Sequence, residues 1–232
     1  MNSILEVKNL TKKFGRFTAV DDLSFEVQKG QVFGILGPNG SGKTTTLSMV
    51  LSLLEPTAGN VSLFGSDNLV EGRKKMGVTL ETAGFLPSYN ADQNLKMTAL
   101  IKKVPFSDID RVLDLVDLKS VRRKKYKAYS YGMKQRLAIG GALLGDPDVL
   151  IFDEPTNGLD PHGIIDIRNL IMKLAAQGKT IIVASHLLVE MERVCTDIII
   201  ISKGKLIKKG KLDALLLEYN DLENAFIQLT SN

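Results

Sequence analysis

Cysteine is nearly absent: Cys195 is the only one in 232 residues, which excludes an internal disulfide and a four-cysteine metal site. Long hydrophobic runs are missing as well. The aliphatic stretch Ile198 to Ile201 is far too short to span a bilayer, and Met1 to Lys8 lacks the apolar core of a signal peptide. These absences predict a soluble chain of a reducing compartment, for which any membrane role requires a separate subunit. There are no internal repeats or low-complexity linkers. Excess charge of one sign is small, net +4 with a pI of about 9.0, too mild to demand nucleic acid. What is present, 44% hydrophobic and 24% charged residues, suffices for one substantial core or two small lobes.

The patterning is mixed. Ile4–Val7 and Leu23–Val27 alternate as half-buried strands, and Val61–Gly65 and Met76–Leu80 read as further strands. Val32–Leu36, Val149–Phe152 and Thr180–Ala184 are unbroken apolar runs, as in a parallel sheet covered on both faces. Asp197–Ser202 and Lys205–Lys208 form a closing hairpin around Lys203-Gly204. Helices are predicted over Leu47–Leu54, Ile164–Leu174 with Pro161 near its start, and Leu222–Leu229. Ala91–Ser120 is helical with an interruption at Pro105, and Ile109, Val112, Leu113 and Val116 share one face. The cluster Arg122, Arg123, Lys124, Lys125 and Lys127 reads as a solvated face, with anionic lipid headgroups as the sharper alternative.

Between the Val32 strand and the Leu47 helix lies Gly37-Pro38-Asn39-Gly40-Ser41-Gly42-Lys43-Thr44, followed by Thr45. Strand, glycine-rich turn and Lys-Thr opening a helix form a P-loop in its required context. The glycines let backbone N–H groups approach phosphate, Lys43 adds a full positive charge, and the helix N-terminus adds a partial one. The Thr44 hydroxyl suits Mg²⁺. Gly37, Asn39, Gly40, Ser41, Gly42, Lys43, Thr44 and Thr45 are therefore the candidate nucleotide-phosphate residues. The predicted fold is α/β: a P-loop NTPase core with a mostly parallel sheet, an N-terminal antiparallel β-subdomain and a helical insert over about 91–145. All of it falls in one domain, 1–232.

A second constellation ends the Val149 strand. Asp153 sits where α/β sheets place their ligands and is the candidate Mg²⁺ acid. Side chains alternate along a strand, so Glu154 is expected to point the other way and act as general base for the attacking water. His186 ends the next strand, where it could donate to the γ-phosphate or, as a lone strand-end histidine usually does, carry no chemistry.

Together these residues resemble the ATPase subunits of ATP-binding cassette (ABC) transporters, whose motifs occur here in order over nearly the whole chain. The resemblance implies that Phe14, in Leu10–Gly15, stacks on adenine and that Val20 touches it. It implies that Ser130 and Gly132, in Ser130–Leu137, form the signature facing the γ-phosphate held by a second subunit. Gly158-Leu159-Asp160 matches the loop that communicates across that dimer, and His186 matches the switch histidine. Lys43, Glu154 and His186 are thereby the catalytic set. Two departures stand out. The usual signature is Leu-Ser-Gly-Gly, whereas Tyr129 and Tyr131 replace its leucine and first glycine. Glu81 stands where the family carries a metal-reaching Gln, which makes Thr44, Glu81 and Asp153 the candidate metal ligands.

The implied function is an ATP-binding, ATP-hydrolysing subunit powering a transporter, resembling exporters of the drug-resistance and lantibiotic-immunity kind. Its cofactors are ATP and Mg²⁺. Its partners are a second ATPase subunit, as a homodimer on ATP, and a transmembrane permease that holds it at the cytoplasmic face. Phe85, Leu86 and Tyr89 are candidate permease contacts or, equally, residues that pack the insert against the sheet, and nucleic acid is not expected. The rival is a soluble ABC-type ATPase acting on translation factors or DNA, but the doubled cassette or long coiled-coil insertion of those relatives is missing. A GTPase would carry an Asn-Lys-x-Asp segment, and none occurs.

Overall fold

The computed structural model describes residues 3–80 and 84–230; Glu81 lies outside the described residues. In chain order the strands and helices begin with β1 (Ser3–Phe14), β2 (Phe17–Gln28), β3 (Val32–Leu36), α1 (Lys43–Val50), β4 (Ala58–Leu63) and α2 (Leu69–Lys74). There follow β5 (Met76–Thr79), α3 (Ala91–Lys102), α4 (Asp108–Leu115), α5 (Tyr131–Leu143), β6 (Val149–Asp153) and α6 (Pro161–Ala176). The chain closes with β7 (Thr180–Ser185), α7 (Leu188–Val194), β8 (Asp197–Ser202), β9 (Lys205–Lys211), α8 (Leu212–Tyr219) and α9 (Leu222–Thr230). Two compact units result: 1–73 with 180–232, and 74–179.

In the first unit β1 pairs antiparallel with β2 and β4, and Phe14 faces Phe17 across the β1–β2 turn. β3 runs parallel to β7 on one side and β8 on the other, and β9 closes antiparallel on β8. Every residue of β3 and β7 is buried, as unbroken apolar runs require of strands covered on both faces. Leu36 is in register with Ser185. The chain therefore leaves β3 at Gly37 and β7 at His186 from the same end of the sheet.

Several boundaries differ from the sequence reading, those of α1 and β4 among them. α1 starts at Lys43, directly after the glycines, and ends at Val50 instead of covering Leu47–Leu54. Ser52 turns left-handed with φ 50, and the N–H groups of Leu53 and Leu54 return to Ser48 O. β4 starts earlier than Val61 and stops at Leu63, because Phe64 and Gly65 take positive φ and turn the chain.

In the second unit β5 runs parallel to β6, Met76 opposite Val149. The helical face predicted from Ile109, Val112, Leu113 and Val116 is buried, as are Leu95 of α3 and Leu137 of α5. α3 begins with a capping box in which Asn90 Oδ1 accepts from Gln93 N and Gln93 Oε1 accepts from Asn90 N. The basic cluster is not uniformly solvated. Arg122 is clamped by Asp92 and Asp110, which holds its guanidinium well above the usual range, while its neighbours Arg123, Lys124, Lys125 and Lys127 are exposed.

Lys102 closes the far end of α5. Its Nζ donates to the carbonyls of Gly141 (3.0 Å), Ala142 (2.8 Å) and Leu144 (3.1 Å), carbonyls that a helix C-terminus leaves open. Burial pushes the ammonium down to about 8. Replacing Lys102 with Met keeps the stem and removes the donors. It should cost about 1–3 kcal/mol, read as a melting temperature lowered by about 2–10 °C.

Candidate functional site

Two positions in the loop after β3 have room for glycine alone. A Cβ on Gly37 would fall 2.3 Å from Ile201 O and 2.5 Å from Ser41 Oγ. Gly42 holds φ 107, and a Cβ there would lie 2.6 Å from Ala19 O. α1 opens at Lys43 with neither a capping side chain nor an acidic residue in its first turn. The positive end of the helix is thus left for an anion. Lys43 Nζ donates to the loop's own carbonyls, Gly37 O at 2.8 Å and Pro38 O at 3.3 Å. The Ser41 hydroxyl is buried with no hydrogen-bond partner among the described residues. Asn39, Gly40 and Thr44 are exposed, and Thr45 is half-buried.

A brace that sequence reasoning missed supports this loop. Gly204 N donates to Ser41 O at 3.0 Å, and Gly204 O accepts from Asp21 N at 2.8 Å. The only signal in the sequence was the Lys203-Gly204 turn itself.

Phe14 is 50% exposed, with Lys12 Nζ 5.3 Å from its ring centroid, so its ring can still offer a face for stacking. Val20 is fully buried. Its Cγ2 lies 3.3 Å from where a Gly42 Cβ would be, so it backs the loop and presents no surface of its own. His186 is half-buried at the end of β7.

In the second unit Asp153 closes β6 at 1% exposure and Glu154 follows at 9%. Glu154 is not a further strand residue. It takes φ 48, so its direction comes from a left-handed backbone and not from the pleat, as alternation alone suggested. A non-glycine residue held there stores strain of order ~1–3 kcal/mol, a feature that gathers at functional sites. Nearby in sequence, the Thr156 hydroxyl is buried without a hydrogen-bond partner among the described residues.

Ser130 is the N-cap of α5 and accepts from Met133 N at 3.3 Å. Asp160 caps α6 in the same way, accepting from Gly163 N at 2.8 Å. Ser130, Gly132 and Asp160 line one cavity of about 390 Å³, together with Arg136 and His162. Sequence reasoning gave those two residues no role. Arg136 Nη1 reaches Asp117 Oδ2 at 3.2 Å and Asp166 Oδ2 at 4.0 Å. Tyr129 is buried, with its hydroxyl donating to Val121 O at 3.0 Å. It serves the core as a leucine would, with its polar atom satisfied.

Residues 20–157 match the family described as ABC transporter. The chain belongs to that family. It is 45% identical over 226 residues to an uncharacterized ABC transporter ATP-binding protein of Bacillus subtilis, covering 95% of this chain and 74% of that one. It is 40% identical to the bacitracin transport ATP-binding protein of Enterococcus faecalis, covering 93% and 71%. An ATP-binding subunit of an ABC transporter superposes with a TM-score of 0.86 at 28% identity, over 98% of this chain and 99% of that one. A dimeric ATP-binding cassette in a post-hydrolysis state with ADP and phosphate superposes at 0.79 and 27%, over 90% and 98%. As an ABC ATPase, this chain binds and hydrolyses ATP. Among the described residues no helix is long and apolar enough to cross a membrane.

Proposed function

We propose that two copies of this chain close head to tail on two ATP molecules and drive export through a transmembrane permease. The observation that carries the nucleotide half is the loop before α1: two sterically required glycines, an uncapped helix start and Lys43 in reach of its own loop. Lys43 and Thr44 grip the triphosphate, and Phe14 stacks on the base. Ser130 and Gly132 of the second copy approach the γ-phosphate. The dimeric cassette bound to ADP and phosphate supports this arrangement.

Glu154 orients and deprotonates the attacking water, while His186 donates to charge developing on the γ-phosphate. Mg²⁺ would supply charge neutralisation across the phosphates, with Thr44 and Asp153 as its oxygen ligands. The donors suit a hard cation: Asp153 is a buried carboxylate and Thr44 an exposed hydroxyl. Glu81 is proposed as a further ligand on sequence grounds alone. We assign the family's helical insert to about 91–145.

The permease is assigned to a cavity of about 380 Å³ in the second unit, lined by Phe85, Met97, Thr98, Ile101, Lys102 and Gly141. Ile101 is 80% exposed at its rim, and Leu86, Tyr89 and Leu100 are also open. An apolar surface of this extent fits an amphipathic segment from a membrane partner. A transport role is favoured by the bacitracin transport relative, and export by the resemblance to drug-resistance and lantibiotic-immunity exporters. Docking there would hold the chain at the cytoplasmic face.

Co-expression with candidate permeases tests this reading. Ile101→Asp should abolish co-purification with the membrane partner while ATP affinity stays within about twofold, since single sites without shared partners behave independently. Retained co-purification would remove this cavity as the docking site. Recovery with ribosomes or DNA in place of a membrane protein would favour the soluble rival.

A further inference from the structure

Tyr131 stands where the family signature carries its first glycine, and the structure gives its ring a partner. A Cβ built on Gly158 would lie 3.2 Å from Cε1, 3.6 Å from Cζ and 3.8 Å from Cδ1 of Tyr131. The edge of the ring therefore rests on the backbone of the Gly158-Leu159-Asp160 loop. The contact is reciprocal: Leu159 Cδ2 lies 3.6 Å from the position of a Gly132 Cβ. Each bulky side chain covers a glycine of the opposite segment. Gly158 itself sits at φ 72, a conformation that an unsupported loop samples as one of many.

Burial does not account for the aromatic ring, because Tyr131 is 53% exposed. The two segments it joins both start helices. Ser130 caps α5 and Asp160 caps α6, and all of them line the same cavity.

We propose that Tyr131 is a positioning residue whose ring holds the 158–160 loop against the start of α5. Signature and loop then meet the second copy's nucleotide as one pre-ordered surface. This rests on the two-copy reading above. A glycine at 131 removes the wall behind Gly158, so the loop must be ordered at the moment of closure. Pre-ordering an interface loop raises affinity by cutting that cost. The ring is what matters, since it is ring carbons that touch Gly158.

The test uses the full chain with Glu154→Gln, in which the two-copy reading expects ATP to be retained and dimers to accumulate. Dimer fraction is followed by sedimentation as ATP is raised. Adding Tyr131→Gly should raise the half-point for dimerisation about tenfold, with ATP affinity of the monomer unchanged. Tyr131→Phe should restore the parent's half-point. If Tyr131→Gly dimerises like its parent, or if Phe fails as Gly does, the proposal is overturned. A Glu154→Gln parent that stays monomeric at every ATP concentration overturns the two-copy reading, and this one with it.

Discussion

Glu154→Gln should bind ATP, pair with a second copy and release phosphate ~10²–10⁴-fold more slowly than the native chain, the usual worth of a general base. Glutamine keeps the volume and one acceptor oxygen but cannot take a proton from water. Nothing else about the position need change, because Gln meets the same left-handed backbone at φ 48 with a side chain of equal length. The loss should therefore fall on the chemical step and spare binding. Phosphate release at saturating ATP, beside an ATP titration, reads the two separately. Turnover at the native rate would remove Glu154 from the mechanism.

Lys43→Ala should produce the other large effect. In this structure the ammonium is buried and donates to Gly37 O and Pro38 O. A triphosphate offers it anionic oxygens in place of neutral carbonyls, and a charge-assisted hydrogen bond contributes about 1.5–3 kcal/mol. ATP affinity should fall about 10- to 100-fold on that account alone. Turnover should fall further, by about 10²–10³, because charge grows on the phosphoryl oxygens in the transition state. Isothermal titration and phosphate release measure the two. Native affinity in the Ala variant would show that the loop binds phosphate through its backbone alone.

Much of the nucleotide half was legible before any coordinates. Val32–Leu36 was readable as a strand because a short unbroken apolar run suits a strand covered on both faces, and all five residues are buried. The Gly-Lys-Thr spelling follows from steric demands within one short loop. Asp153 was readable for the same reason, at the end of another apolar run. Elements without such a local signal were missed or misplaced. α2 and α7 are short helices, of 6 and 7 residues, with too few turns to show a period. α8 was missed as well; it starts directly where β9 ends, with no break in the sequence between them.

What the sequence determined by itself was the chemistry of single stretches: a phosphate loop, a strand-end acid pair, a helix-capping serine and the order that ties them to one family. Each depends on neighbours a few residues away, so composition and spacing carry it. Tertiary structure alone decided the pairings across distance. Arg122 with Asp92, Gly204 under Ser41, Lys102 on the end of α5 and Tyr131 on Gly158 join residues 27 to 163 positions apart in the chain. A side chain's task is set by what the fold brings against it. No local pattern encodes that a lysine will close a helix, or that a signature tyrosine will rest on a glycine.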